Sequence, residues 1–405
     1  MSIPQRRHRS HAHLRRGALV VLTTTLLGLG TAACGHATGA PGRPVARAAA
    51  GLSMATSIET SAGSWAVVPM GDLNEPLNTF WQLFFRPRGA SNWSDLSSAL
   101  AVATNGGLVL AARDGLSLTV GVRPANLLEF SPILVTSDGG RAWTPASPIA
   151  ALAKQPDALA IGTGGSAVAL TAASGGVEEV SESSGQLAGW NELTTSTELQ
   201  SSPAGRACGL GSITAVGVQA STPIVGADCR RAGIVGVFSD AQGPWELAGP
   251  ALPASLAAGN VDVLGLLPTT GGLCALLAVS DGHESGLLAA WRSNGDTRWR
   301  TSPVLAVGSG GVRSFGPDGR RGLFLVTSSA DASESVEVIG GPGDAWDALP
   351  TPPPGTETLA FGPAGKVDAL AARDTLFTDW VLAPGAGNWT RSQVANVPIQ
   401  FGSSS

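Results

Sequence analysis

The chain has 405 residues, among them 54 Gly, 27 Pro, 11 Trp and 10 Phe, and it contains no Tyr. At 43% hydrophobic and 14% charged it carries enough apolar material for a large core, which excludes a disordered chain. A formal charge of −5 and only five His argue against a polybasic nucleic-acid surface and exclude a His-rich metal site.

The first element in chain order is an export signal. Arg6, Arg7, Arg9, Arg15 and Arg16 form a basic stretch without an acid, and residues 17–30 form an apolar run rich in Leu, Val and Thr. That run is too short for a bilayer, which takes about 20 helical residues, and it fits the apolar part of a signal peptide. Thr31-Ala32-Ala33-Cys34 follows and resembles the lipobox of bacterial lipoproteins, with Thr31 where Leu is commoner. The resemblance implies that residues 1–33 are cleaved and that Cys34 is acylated, anchoring the chain to the outer face of the cell membrane. Arg15-Arg16 leaves twin-arginine and Sec export as equal routes. Cleavage removes five of the 25 basic residues and none of the 30 acidic ones, so the mature formal charge is −10. Nucleic acid and an anionic lipid surface are therefore disfavoured partners, and membrane association is expected from the lipid on Cys34. Residues 34–58, aperiodic in Gly, Ala, Pro, Thr and Arg, are expected to be a flexible tether.

Residues 59–405 carry a repeat marked by Trp. Trp93, Trp143, Trp190, Trp245, Trp299, Trp346 and Trp389 each follow a Gly-containing turn, at separations of 50, 47, 55, 54, 47 and 43 residues. Upstream of most of these turns lies a short apolar strand, a Gly-rich turn and a longer apolar strand. Asn105-Gly106, Gly164-Gly165 and Gly271-Gly272 supply the positive φ such hairpins need. The strands run nearly unbroken in Ala, Val and Leu, the pattern of strands covered on both faces. Four strands per unit at this period predict an all-β fold, a seven-bladed β-propeller of four-stranded blades. The first unit starts at Trp65 and lacks an evident innermost strand. Pro398-Ile399-Gln400-Phe401-Gly402 repeats the pattern of Ser314-Phe315-Gly316 and Ala360-Phe361-Gly362, so residues 398–403 are expected to pair with residues 64–70 and close the ring.

Thr136-Ser137-Asp138-Gly139-Gly140-Arg141-Ala142-Trp143 resembles the Asp-box (BNR repeat) of sialidase-like propellers, with Ala142 in place of the usual Thr. The resemblance implies a structural role for Thr136, Asp138, Gly140 and Trp143, in a hairpin between third and fourth strands away from any substrate. Sialidase chemistry itself needs a Tyr nucleophile, which this chain lacks. His283 is the one His of the propeller and sits in a polar stretch without a Gly-x-Ser-x-Gly elbow, so a serine-hydrolase set is not recognisable. No cofactor motif is present. Acid pairs such as Asp281 with Glu284, Asp331 with Glu334 and Asp72 with Glu75 follow second strands, and a structural calcium there has no further support. Arg113-Asp114 and Arg373-Asp374 echo one another, and Arg230 occupies the corresponding place in the fourth unit. With Asp281 and His283 they form the candidate ligand face, suited to a carboxylate or sugar acid. Cys208 and Cys229 lie about ten residues either side of Ala220-Ser221 and are expected to form a disulfide across one hairpin, leaving Cys274 as a buried thiol. The resulting reading is a monomeric, lipid-anchored binding or scaffolding module for an envelope glycan, peptide or protein. A glycan-acting hydrolase or lyase using mouth carboxylates and Arg, and an envelope-complex assembly factor, are its rivals.

Overall fold

Residues 56–399 are described by a computed structural model, apart from 73–77, 101–103, 105–106, 113–117, 123–132, 147–155, 163–164, 173–176, 185–186, 188, 241–242, 270, 281–284, 308–310, 319–321, 330–332 and 363–364. The chain folds into antiparallel units of four sequential strands. The first comprises Ser57–Thr60, Gly63–Gly71, Thr79–Pro87 and Ser94–Asp95, and the second Leu108–Ala112, Leu118–Val122, Ile133–Thr136 and Thr144–Pro145. The third comprises Ala158–Ile161, Ser166–Ala172, Glu178–Ser184 and Asn191–Thr195. Leu210–Gln219, Thr222–Cys229, Gly236–Ser239 and Glu246–Leu247 form the fourth, and Asn260–Thr269, Gly272–Ser280, Ser285–Ser293 and Arg300–Thr301 the fifth. A single bridge, Cys229 with Val261, joins these two into one nine-stranded sheet that also takes in Leu305–Ala306. Gly311–Pro317, Leu323–Ser328, Glu334–Ile339 and Asp347–Ala348 make the sixth unit, and Thr356–Phe361, Val367–Arg373, Leu376–Leu382 and Thr390–Asn396 the seventh. Each repeated Trp stands immediately before a fourth strand.

The unbroken apolar runs have a packing cause. Along Gly63–Gly71 nearly every residue is buried, and alternate side chains go to different neighbours. Trp65 and Val67 join a cluster with Leu108, Leu110 and Leu118 of the second unit, whereas Ala66, Val68 and Met70 join Ala360, Leu370 and Phe377 of the seventh. Among the described residues, every pair of consecutive units shares such an apolar cluster. Full burial of each Leu, Val or Phe contributes about 1.5–3 kcal/mol, so the inter-unit faces carry most of the cohesion. First strands of successive units also touch, and the first strand of the first unit touches that of the seventh.

Three expectations are corrected. The first unit has its own innermost strand, Ser57–Thr60, paired with Gly63–Ala66, and Val67 N–H donates to Thr56 O at 2.8 Å. The position expected for the tail is therefore filled from upstream, residues 397–399 are not in a strand, and 400–405 lie outside the described residues. In the second unit Leu108–Ala112 is the first strand, so the hairpin expected around Asn105-Gly106 slips by one strand. Cys208 ends a short helix instead of lying on the first strand of its unit.

In place of a shared strand, side chains hold the first unit to the seventh. Arg86 Nη1 lies 2.6 Å from Asp368 Oδ2, and both residues are buried. Lys366 Nζ approaches the other Asp368 oxygen at 3.1 Å, and the Arg86 guanidinium lies 4.7 Å over the Trp93 ring. Gln393 bonds both the N–H and the carbonyl of Trp93, at 2.7 and 2.9 Å. Phe84 stacks on Phe377 at 4.1 Å and Thr56 Oγ1 meets Thr358 Oγ1 at 2.5 Å. The backbone of Thr56 reaches the sixth unit instead, its N–H donating to Phe315 O at 3.2 Å.

Candidate functional site

Alternation of strand direction fixes two ends for each unit. One end gathers the start of the first strand and the connection between second and third. The other carries the Gly turn and the repeated Trp. Bonds between neighbouring units join like ends: Cys229 with Val261, Arg313 with Glu357, and Gly71 with Asp374.

The Gly-turn end is structural. Thr136 Oγ1 donates to Asp138 Oδ1 at 2.8 Å and accepts from Gly140 N–H at 2.9 Å, while Asp138 accepts from Ala142 N–H at 3.0 Å. That last bond holds the Asp138 carboxyl below its ordinary range. Gly140 has φ +84°, and a Cβ there would meet Leu96 Cδ1 at 2.4 Å, so the position requires Gly. Trp143 then packs edge-on against Trp65, centroids 6.3 Å apart. The later repeats use their indoles across unit boundaries. Trp299, Trp346 and Trp389 donate Nε1–H to the carbonyls of Ala248, Pro303 and Pro350 at 2.6, 2.9 and 3.0 Å, each in or just after the preceding unit. Replacing Trp346 by Phe is expected to lower stability by about 1 kcal/mol, read as a shift in the urea midpoint.

The opposite end also carries exposed polar residues, among them some of those singled out in the sequence. Arg230 and Asp374 are exposed there on the connections between second and third strands of the fourth and seventh units, and Arg373, also exposed, ends the second strand of the seventh. Asp374 takes φ +53° and its carbonyl accepts Gly71 N–H at 2.9 Å. Cys34, Arg113, Asp114, Asp281 and His283 lie outside the described residues.

Sequence reading missed the charged group at this end. The first strands of the sixth and seventh units each carry a one-residue bulge, between Val312 and Ser314 and between Thr356 and Thr358. A bulge re-aims the extra side chain, and the two residues so placed are Arg313 and Glu357. Arg313 Nη2 contacts the Glu357 oxygens at 3.0 and 3.2 Å, and its Nη1 pairs with Glu334. Burial pushes the Glu357 carboxyl up to about 7, with Arg313 pulling it down and Glu334 pushing it up. Burial likewise raises Asp379, in the core of the seventh unit, to about 7, aided by Asp368.

Both carboxyls hold a proton more tightly folded than unfolded. Their contribution to stability is complete below about pH 4 and is lost as pH rises through about 7. The melting temperature is expected to be several degrees higher near pH 5 than near pH 8, at of order 1–3 kcal/mol per group. Asp379→Asn should flatten that slope. A slope of the opposite sign in a melting series would refute the assignment.

Also unread in the sequence is a helical insertion between the third and fourth units. Ser196–Ser201 begins with a capping box, Thr195 Oγ1 accepting from Glu198 N–H and Glu198 from Thr195 N–H. Pro203–Cys208 follows, capped by Ser202 and ended by Gly209 at φ +65°. The insertion packs Leu199, Ala204 and Cys208 into the core between the third and fourth units. Cys208 is disulfide-bonded to Cys229, Cα atoms 5.1 Å apart. Cys274 is a buried free thiol whose pKa burial raises. A shallow cleft of about 120 Å³ between the fifth and sixth units completes this end, lined by Val307, Thr327, Ser329, Ser333, Ser335 and Glu337.

Among the described residues, no group of three or more His, Cys, Asp or Glu is arranged to hold a metal, and no helix is long and apolar enough to cross a membrane.

No protein-family model matches the chain, and no curated protein is similar enough to count as a relative. Solved structures do resemble it. A candidate 6-phosphogluconolactonase from Bacteroides uniformis aligns over 82% of this chain and 96% of its own, at 12% identity and a TM-score of 0.50. YCF48 bound to D1 peptide aligns over 84% and 94%, at 13% identity and a TM-score of 0.41. The fungal lectin of Aleuria aurantia, a six-bladed β-propeller, aligns over 87% and 96%, at 14% identity and a TM-score of 0.37. The likeness is one of fold alone.

Proposed function

We propose that the chain is an exported, lipid-anchored β-propeller that binds a polar envelope ligand at the end opposite the Gly turns, without transforming it. The observation that carries this reading is the Arg313 group. A hydrolase or lyase at this end needs carboxylates free to exchange protons with substrate. Here Glu334 and Glu357 are both engaged by one guanidinium, with Glu357 buried and Glu334 half-buried at its sides. That arrangement organises a surface and leaves neither of these two carboxylates free of Arg313.

The architecture proposed is a ring of seven blades, closed between first and last by side chains. Supporting it are the apolar clusters between consecutive units and the Arg86–Asp368 contact from first unit to last. The turn at Thr136–Trp143 is assigned as an Asp-box with a structural role only. The anchor is the lipid on Cys34, no cofactor is required, and a structural calcium is left out of the proposal.

Glycan and peptide arrays probed with the full chain, beside a panel of fluorogenic glycosides, test the proposal. Saturable binding with no turnover is expected. Turnover abolished by Glu357→Gln in a chain of unchanged melting temperature would replace binding by catalysis. A stoichiometric protein captured from solubilised envelope, with both arrays blank, would favour the assembly-factor reading instead.

A further inference from the structure

Most arginines whose side chains make a described contact are held in place. Arg86 and Arg313 sit on carboxylates, and Arg292 and Arg391 lie over the rings of Trp299 and Trp380. Arg230 and Arg231 differ. They are consecutive, exposed, and without an ion pair among the described residues.

Their backbone, by contrast, is fixed with care. Arg230 N–H donates to Gly209 O and Arg231 N–H to Cys208 O, both at 3.1 Å, so the pair caps the end of the helix Pro203–Cys208. Gly209 is flanked by both side chains, since a Cβ there would meet Arg231 Cγ at 3.3 Å and Arg230 Cβ at 3.7 Å. The disulfide ties the same two segments one residue away, Cys208 before Gly209 and Cys229 before Arg230. Arg206, also exposed, stands two residues before Cys208 and bonds Ser201 O. Two acids of the same segments are engaged with other partners: Asp228 accepts from Ser212, and Glu198 closes the capping box.

We propose that Arg230 and Arg231, supported by Arg206, form an oxyanion-binding knob held in shape by the Cys208–Cys229 disulfide. Guanidinium groups pair with phosphate and carboxylate through parallel N–H···O bonds, and a pre-set backbone reduces the ordering cost of making them. A chain whose mature charge is strongly acidic repels polyanions at long range. The knob is therefore matched to discrete phosphate or uronate groups on a ligand, not to a continuous polyanion. The inference rests on the reading of this end as the binding face and names the chemistry of its ligand.

The test is titration of the full chain with inorganic phosphate and with glucuronate, followed by NMR or calorimetry at low salt. Saturable binding to one or both is expected, and the preferred one separates a phosphate source from a uronate source. Arg230→Ala with Arg231→Ala should weaken it at least about tenfold while leaving the melting temperature unchanged, because both side chains are exposed. Cys208→Ala with Cys229→Ala should weaken it less, about threefold, through loss of positioning. Failure of the intact chain to bind either anion, or full retention of binding in the double-arginine variant, would overturn the knob. A ligand found on the arrays whose binding survives that variant would sink the knob alone and leave the binding face standing. Blank arrays together with no anion binding would sink both.

Discussion

Replacement of Arg86 by Met is expected to cost about 3–5 kcal/mol of stability, the largest effect of any single charged residue in the fold. The guanidinium is buried between the first and seventh units, 2.6 Å from Asp368, whose side chain is fully buried. Asp379 lies in the same electrostatic group, as does Glu59, and burial raises both carboxyls. Met preserves most of the stem packing but leaves Asp368 with Lys366 as its remaining ion-pair partner. A second variant separates electrostatics from packing. Asp368→Asn in the Arg86→Met background should recover a good part of the loss, because the stranded charge is then gone. Urea unfolding of the two single variants and the double gives the coupling energy directly. A coupling near zero would mean that Phe84 on Phe377 and the Gln393–Trp93 bonds hold the junction without the ion pair.

Loss of the Cys208–Cys229 disulfide ranks second. The cross-link spans 21 residues, and freeing a loop of that size raises the entropy of the unfolded chain by about 2–4 kcal/mol of stability at room temperature. Replacing both cysteines by Ala is expected to lower the unfolding midpoint by that amount. A single replacement should do at least as much harm, since it leaves one buried thiol without its partner. Alkylation of the native chain under non-reducing conditions should leave Cys274 unmodified, because it is 1% exposed and burial raises its thiol pKa. Unchanged stability in the double variant would mean that the insertion is held by Leu199 and Ala204 alone.

Some features were open to direct reading. The seven Trp marked the fourth strands because each sits where a turn ends and a strand begins, a local requirement written in adjacent residues. The turn Thr136–Trp143 was legible for the same reason, its bonds running between residues two to four apart. The hairpin turn at Ala220-Ser221 was legible from the two apolar runs around it, and Gln219 pairs with Thr222 across it. The insertion at 196–208 carries signals too, Thr195 with Glu198 and Ser202 with Pro203, but a β-repeat pattern on either side obscures them. The second unit slipped by one strand because strands covered on both faces have no polar side to fix their register.

The sequence by itself determined the strand-and-turn repeat, because short-range turn chemistry and apolar composition are read within a few residues. It also determined what chemistry a chain without Tyr cannot perform. Only the tertiary structure decided how first and last units meet, since Arg86 and Asp368 are 282 residues apart and nothing local couples them. It also decided that Arg313 stands between Glu334 and Glu357, because two bulges turned side chains from different units toward one another. Long-range electrostatics and strand register depend on how covered sheets stack, and that is settled only when the units pack.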